Sequence, residues 1–343
     1  MIGPDTPPSD ASAACAEPAG FWRRVVAVAI DVAVVATMGR VLGMLWFDTL
    51  ATLGQHGLAL GAGVLLAYFG LLASRIGGGA TLGKRALSLR VVDRDGRLLN
   101  PGVAVARASV VVVPWVLVQL TVPPGVFATL HGWAAWAAVS LLGWCVYLFL
   151  FNTPSRRSLP DLVAGTTVVR VPADRRTVIP TAPDSVWPGH YLVCALALGL
   201  FLAGRTMLPN PALDDSDHER IEDVRAALQE QLGTVRVGTH LGYALSWRVA
   251  LLPGIGEEAQ LGTARFVTVT VGLAGEPKSY DSVVDRVALT LLSLFPEAFE
   301  RDSIEITVLY GFDIGIAERW IGHTIGLDPE SWRERIGARS VPA

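Results

Sequence analysis

Charge is the scarce ingredient of this chain: 17% of its 343 residues are Asp, Glu, Lys or Arg, against 51% hydrophobic, and mean hydropathy is +0.44. That balance excludes an ordinary soluble enzyme and points to an integral membrane protein with a soluble appendage. Cysteine is rarer still, at three residues. Cys15 precedes the first apolar run and Cys145 and Cys194 fall inside later ones, so the stretch after residue 208 can hold no disulfide. Ala13-Ala14-Cys15 does not read as a lipoprotein cleavage site, because no apolar signal core precedes it.

The charges present are unevenly placed. Residues 1–208 carry 16 Lys and Arg against 10 Asp and Glu, whereas 209–343 carry 12 against 21. The apolar part is basic and the remainder acidic, which argues against nucleic acid as a partner.

Five apolar segments are near the length that crosses a hydrocarbon core: Val25 to Phe47, Gly57 to Ser74, Val103 to Val122, Trp133 to Phe151 and His190 to Leu208. The stretches Asp48 to His56, Arg75 to Arg107, Pro123 to Gly132 and Asn152 to Gly189 carry no Lys or Arg, then seven, none and five. By the positive-inside rule the N-terminus and both basic loops are cytoplasmic, and a fifth crossing leaves the acidic tail outside. The third segment fits least well, with Arg107 in its first turn and Pro114 in its middle. Arg107 can snorkel to the interface, and a transmembrane proline is tolerated where neighbours satisfy the freed carbonyl.

Phe21-Trp22-Arg23-Arg24 is an interfacial anchor of aromatic and basic residues. Arg24, Ala27 and Asp31 lie on one helical face, with about 10 Å of rise between the two charges, beyond bonding distance inside the helix. Each charge therefore needs a partner elsewhere or a watery cavity. Asp161, ten residues beyond the fourth apolar segment, is at the level of Arg24 and is its natural partner. Asp31 is left to cap, or to pair with Arg85 or Arg107; Arg40 snorkels outward or pairs with Asp48.

Two loop motifs remain. Gly77-Gly78-Gly79 and Gly83-Lys84 suggest a phosphate loop, but Arg85 stands where a magnesium-binding Ser or Thr belongs. A short amphipathic surface segment followed by an Asp95-Gly96 turn is the better reading. The second motif runs Pro160-Asp161-Leu162-Val163-Ala164-Gly165-Thr166.

Together these stretches resemble the RDD family of bacterial membrane proteins. The family's opening pattern matches Arg24, Ala27, Ile30 and Asp31, its Thr-Leu-Gly-Lys-Arg loop matches Thr81 to Arg85 with Val91 to Asp93 and Gly96 following, and its closing motif matches Asp161 to Thr166. Pro160 stands where the family commonly has His. The resemblance covers residues 20 to 172 and implies a four-span helical bundle with a role in ion or proton-coupled transport. It makes Arg24, Asp31 and Asp161 the motif charges, and Gly83, Lys84 and Arg85 the loop motif.

The tail resembles no family. Helical spacing predicts a helix over 214–232; Val235 to Leu252 and Arg265 to Leu273 predict a hairpin turning at Pro253-Gly254-Ile255-Gly256; Tyr280 to Leu294 predicts a helix and Ile304 to Tyr310 a strand. His218, His240 and His323 lack the pairings of a zinc site, and Asp281 and Asp285 read as a solvated helix face. Neither catalysis nor a cofactor or metal is expected.

The expected organisation is a disordered cytoplasmic lead over 1–20, a transmembrane domain over 21–172, a cytoplasmic linker over 173–189, a fifth span over 190–208 and an extracytoplasmic α+β domain over 209–343. The functional expectation is a platform in the cell membrane that displays a binding or sensing domain to an extracytoplasmic partner. The alternative is an ion or proton-coupled transporter that uses Asp31, assembled as a homo-oligomer because a single copy is a small apparatus. For the motif charges, an ion path and a clamp on the bundle weigh evenly.

Overall fold

The computed structural model describes residues 19–120, 126–152, 157–171, 188–207, 215–232, 236–246 and 262–339, with backbone only for 126–131, 200–207, 215–219, 236–246, 262–265 and 338–339. The N-terminal lead, Cys15, residues 173–187 of the expected linker and the turn at 253–256 lie outside the described residues, as do the side chains of His218 and His240. The chain divides into two compact units, one of residues 1–41, 58–207 and 314–316, the other of 42–57, 208–313 and 317–343.

The first unit is built on α1 (Phe21–Leu45). Arg24, Ala27, Asp31 and Val35 are its buried face, and Val28, Val32 and Met44 are exposed. Apart from Arg23 in the first turn, and Thr37 and Arg40 further along, its exposed face is apolar, which suits a lipid environment. A second apolar helix covers Phe47–Leu71. It is assembled from α2 (Phe47–Leu53) and a 3-10 turn, which belong to the second unit, followed by α3 (Gly57–Leu66) and a π-helical turn over Ala67–Leu71. The expected connection over 48–56 is thus helical: Asp48 falls in the first turn of α2, where a carboxylate suits the positive end of the helix dipole.

Next come α4 (Leu82–Ala86), β1 (Leu89–Val92) and α5 (Pro101–Gln119). Asn100 Oδ1 accepts from Gly102 N at 3.3 Å, and Pro101 occupies a first-turn position that needs no N–H donor, so α5 starts two residues before the expected Val103. Pro114 is carried inside α5. Then follow α6 (Val126–Phe151), α7 (Leu159–Val163), β2 (Thr167–Arg170) and α8 (Pro188–Met207). Four helices among the described residues are long and apolar enough to cross a membrane: 21–45, 47–71, 101–119 and 132–151. A helix forms at α8 as expected, and its described apolar part is the shorter Pro188–Gly199.

Strands β1 and β2 pair antiparallel, from Leu89 opposite Arg170 to Val92 opposite Thr167. The sequence reading expected only a surface segment here. At four residues each, the strands are too short for their alternation to register. They bury Leu89, Val91 and Val168 with Ala27, Ala73 and Ala104, joining the two motif loops to the helices.

The second unit contains α9 (Asp215–Leu232), β3 (Arg236–Ser246), β4 (Gly262–Leu273), α10 (Tyr280–Leu294), β5 (Ser303–Asp313), β6 (Glu318–Leu327) and α11 (Pro329–Arg339). The sheet order is β3-β4-β5-β6, antiparallel at both edges and parallel between β4 and β5, which α10 connects. Ser279 Oγ accepts from Ser282 N and starts α10 at the expected residue. The core joins Val224 and Leu228 of α9, Val284, Val287 and Leu291 of α10, the inward rows of β4 and β5, and Trp332 and Ile336 of α11. The reading in order as helix, two strands, helix, strand stopped before β6 and α11. In β6, Gly322 and Gly326 and a mostly exposed face hide any apolar alternation. The Asp281 and Asp285 pair is also more than a solvated face: Arg335 Nη2 donates to Asp281 at 3.0 Å and Nε to Asp285 at 2.6 Å, fastening α11 to α10.

Candidate functional site: a double carboxylate clamp

Asp161 stands in the first turn of α7, fully buried. Its Oδ2 accepts from Ser158 N at 3.1 Å and Ser158 Oγ at 2.7 Å, which fixes the start of its own short helix. Pro160 fits in that first turn because no N–H is required of it there. Thr166 Oγ1 donates to Oδ1 at 3.2 Å as the chain turns through Gly165, whose φ of +64° is the left-handed conformation that ends helices.

Two guanidiniums complete the shell. Arg24 Nη2 donates to Oδ2 at 3.0 Å, and Arg107 donates Nε and Nη2 to Oδ1 at 3.0 and 2.6 Å. Burial alone would raise the Asp161 carboxyl, but Arg107 and Arg24 outweigh it and hold the group well below the usual carboxylate range. Arg24 also lies 5.1 Å from the Phe149 ring centroid, so α1, α5, α6 and α7 converge on this point.

Asp31 makes the second knot, with no exposed surface. Tyr68 Oη donates to Oδ1 at 2.7 Å, Gly83 N to Oδ1 at 2.7 Å and Thr81 Oγ1 to Oδ2 at 2.6 Å. The expected pairing of Asp31 with Arg85 or Arg107 does not occur. Arg107 is committed to Asp161, while Arg85 donates to the carbonyls of Ala80 and Gly77 and so ties its loop to itself. Glycine is required at 83 by close approach: a Cβ there would lie 2.1 Å from the Ala27 carbonyl oxygen and 2.9 Å from Asp31 Oδ1.

Lys84 is half-buried between the two knots, its Nζ 3.3 Å from Thr81 Oγ1. Desolvation and the Arg107 charge bring its amine down to about 8, against the opposing pull of Asp31 and Asp161. The Arg40 and Asp48 pairing is likewise replaced, since Asp48 accepts from Tyr310 Oη at 2.6 Å within the second unit.

The structure thus brings Arg24 onto Asp161 and places Gly83 and Lys84 beside Asp31. Tyr68, Thr81, Ser158 and Thr166 were not singled out from sequence. Tyr68 was the available signal, a phenol inside an apolar run; Thr81 lay in the quoted motif without a role. Among the described residues no group of three His, Cys, Asp or Glu side chains is placed to hold a metal.

No curated protein and no solved structure matches the chain. A family model matches residues 18–165, and it is that of the RDD family. The match spans both knots, from Arg24 through Gly83 to Asp161, and includes the four apolar helices. Residues 18–165 of this membrane protein are an RDD family domain.

Proposed function

We propose that the chain is a membrane platform that presents its C-terminal α+β domain on the extracytoplasmic side as a binding or sensing module. The carrying observation is the saturation of both buried carboxylates. Asp161 accepts from Arg24, Arg107, Ser158 and Thr166, and Asp31 from Tyr68, Thr81 and Gly83. Oxygens filled by donors from several segments suit a clamp better than an ion path, which needs oxygens able to release and rebind a cation. The loop charges of none, seven, none and five support a cytoplasmic N-terminus. An acidic domain with its own core is also more apparatus than ion transfer needs. In this reading α8 is the fifth crossing.

The test is accessibility to an impermeant thiol reagent in intact cells, with native cysteines replaced and any outer membrane opened. Asp95→Cys should be protected and Glu330→Cys labelled; the reverse pattern overturns the orientation and with it the displayed domain.

One observation favours the alternative of an ion or proton-coupled transporter, assembled from several copies: Lys84, poised near 8 and linked through Thr81 to Asp31, can exchange a proton close to neutral pH. Flux of protons or monovalent cations through vesicles holding the full chain, lost in Lys84→Gln, would favour it over the platform.

A further inference from the structure

Beside the clamp, and unused by it, is a polar cavity of about 390 Å³ lined by Gly78, Arg85, Ser88, Arg90 and Val171. We propose that this cavity is a binding site for a phosphate-bearing ligand, held by the guanidiniums of Arg85 and Arg90 and the hydroxyl of Ser88. Four observations carry the assignment. Neither arginine has a carboxylate partner among the described residues, whereas Arg24 and Arg107 of the same unit both pair with Asp161. Two guanidiniums without a carboxylate facing one cavity make an anion-seeking site: Arg85 keeps N–H donors beyond those it gives to the Ala80 and Gly77 carbonyls, and the charge on both arginines favours phosphate oxygens.

Ser88 is the only non-glycine residue among those described with a positive φ, at +56°. That conformation costs an L-residue energy that glycine would avoid, and such strain concentrates where a side chain is needed. It is held there by its own backbone: Ser88 N donates to the Arg85 carbonyl at 3.1 Å, and Val171 N donates to the Ser88 carbonyl at 2.9 Å. The cavity is built on fixed geometry, because β1 and β2 are paired beneath it and Arg85 is braced against Ala80 and Gly77. Its volume lies within the range of small-ligand sites and accommodates a phosphate with a glycerol-sized substituent.

The chain flanking the cavity is apolar and exposed at Ile76 and Leu82, 70% and 45%. Acyl chains of a phospholipid would have surface to lie on there, although a free phosphate compound satisfies the same donors.

Full-length protein in an uncharged sugar detergent is titrated with phosphatidylglycerol, with sn-glycerol 3-phosphate and with inorganic phosphate, with diacylglycerol as the phosphate-free control. Thermal stability and retained ligand by native mass spectrometry are the readouts. The wild type should bind a phosphate-bearing probe and not diacylglycerol. Arg85→Gln and Arg90→Gln should each weaken binding about tenfold or more, the scale of one lost charge-assisted bond. Arg90→Gln keeps the test sound should Arg85→Gln unfold its loop. Arg97→Gln, the same charge change at an exposed residue outside the cavity, should leave binding intact. Binding confined to phosphatidylglycerol assigns a lipid headgroup, and equal binding of the soluble compounds assigns a free phosphate compound. Absence of binding by all three, or equal weakening in Arg97→Gln, overturns the site.

Discussion

Arg107 and Asp161 meet through two donors on one oxygen: both Nε and Nη2 of Arg107 reach Oδ1, at 3.0 and 2.6 Å, leaving Oδ2 to Arg24 and Ser158. One carboxylate therefore serves two arginines from different helices. Substituting the carboxylate breaks both ion pairs at once, while substituting either arginine leaves the other pair in place.

Asp161→Asn should accordingly be the most damaging change in the site. Removing one partner of a buried ion pair costs about 3–5 kcal/mol, and two are broken here. Arg24→Gln and Arg107→Gln should each be milder. Exchanging Arg24 and Asp161 is not expected to restore folding, because an arginine at 161 would face Arg107. Folded yield and thermal stability in detergent check this; full recovery in the exchange would show that Arg107 contributes little.

Asp31→Asn should destabilise the bundle. A lone charge in the membrane would gain from neutralisation, but Asp31 accepts three donors and an amide offers one acceptor oxygen. Its NH2 group must then confront Tyr68, Thr81 or Gly83, at about 1–3 kcal/mol for the unsatisfied group. A stability equal to wild type would mean that the amide finds another arrangement.

Gly83→Ala should fold poorly whatever the ionisation of its neighbours, since the added methyl meets the Ala27 carbonyl in the body of α1 at 2.1 Å. The matching control is Gly102→Ala, whose Cβ meets nothing within 4 Å. Equal behaviour of the two variants would argue against close packing of the motif loop on α1.

Lys84 gives a pH signature. Its amine falls to about 8 in the folded protein, below its unfolded value of roughly 10.4, so between these values the unfolded chain holds a proton that the folded one has released. Stability from this group therefore rises with pH across that window and is flat below it. The charges facing it are Arg24, Arg107, Asp31 and Asp161. Subtracting the stability profile of Lys84→Gln from that of the wild type isolates the effect, and a difference with no slope between pH 8 and 10 would remove it.

Trp332 anchors α11 to the core of the second unit, fully buried with Nε1 donating to the Ile304 carbonyl at 2.9 Å. Trp332→Ala should cost about 3–5 kcal/mol through the cavity and the orphaned carbonyl, read as a lower midpoint in chemical denaturation. Residues 209–343 alone should fold, because the core from Val224 to Ile336 draws on no residue of 42–57.

The sequence by itself determined whatever depends on local pattern. Long apolar runs gave five expected spans, of which four are helices long and apolar enough to cross a membrane among the described residues; loop charge set an expected orientation, and the spacing of Arg24 and Asp31 along one helix forbade their pairing and sent each to another segment. Helical periodicity fixed α10 to the residue, because a buried stripe through Val284, Val287 and Leu291 repeats within a few turns. Only the tertiary structure decided what depends on distant segments meeting. Arg107 could snorkel or pair equally well until α7 came beside α5, and Asp31 needed no cation once Thr81 and Gly83 arrived from 50 and 52 residues away. Four-residue strands such as β1 and β2, and a glycine-bearing edge strand such as β6, are stabilised by their partners more than by their own composition. Their pairing became legible only when the partner was in place.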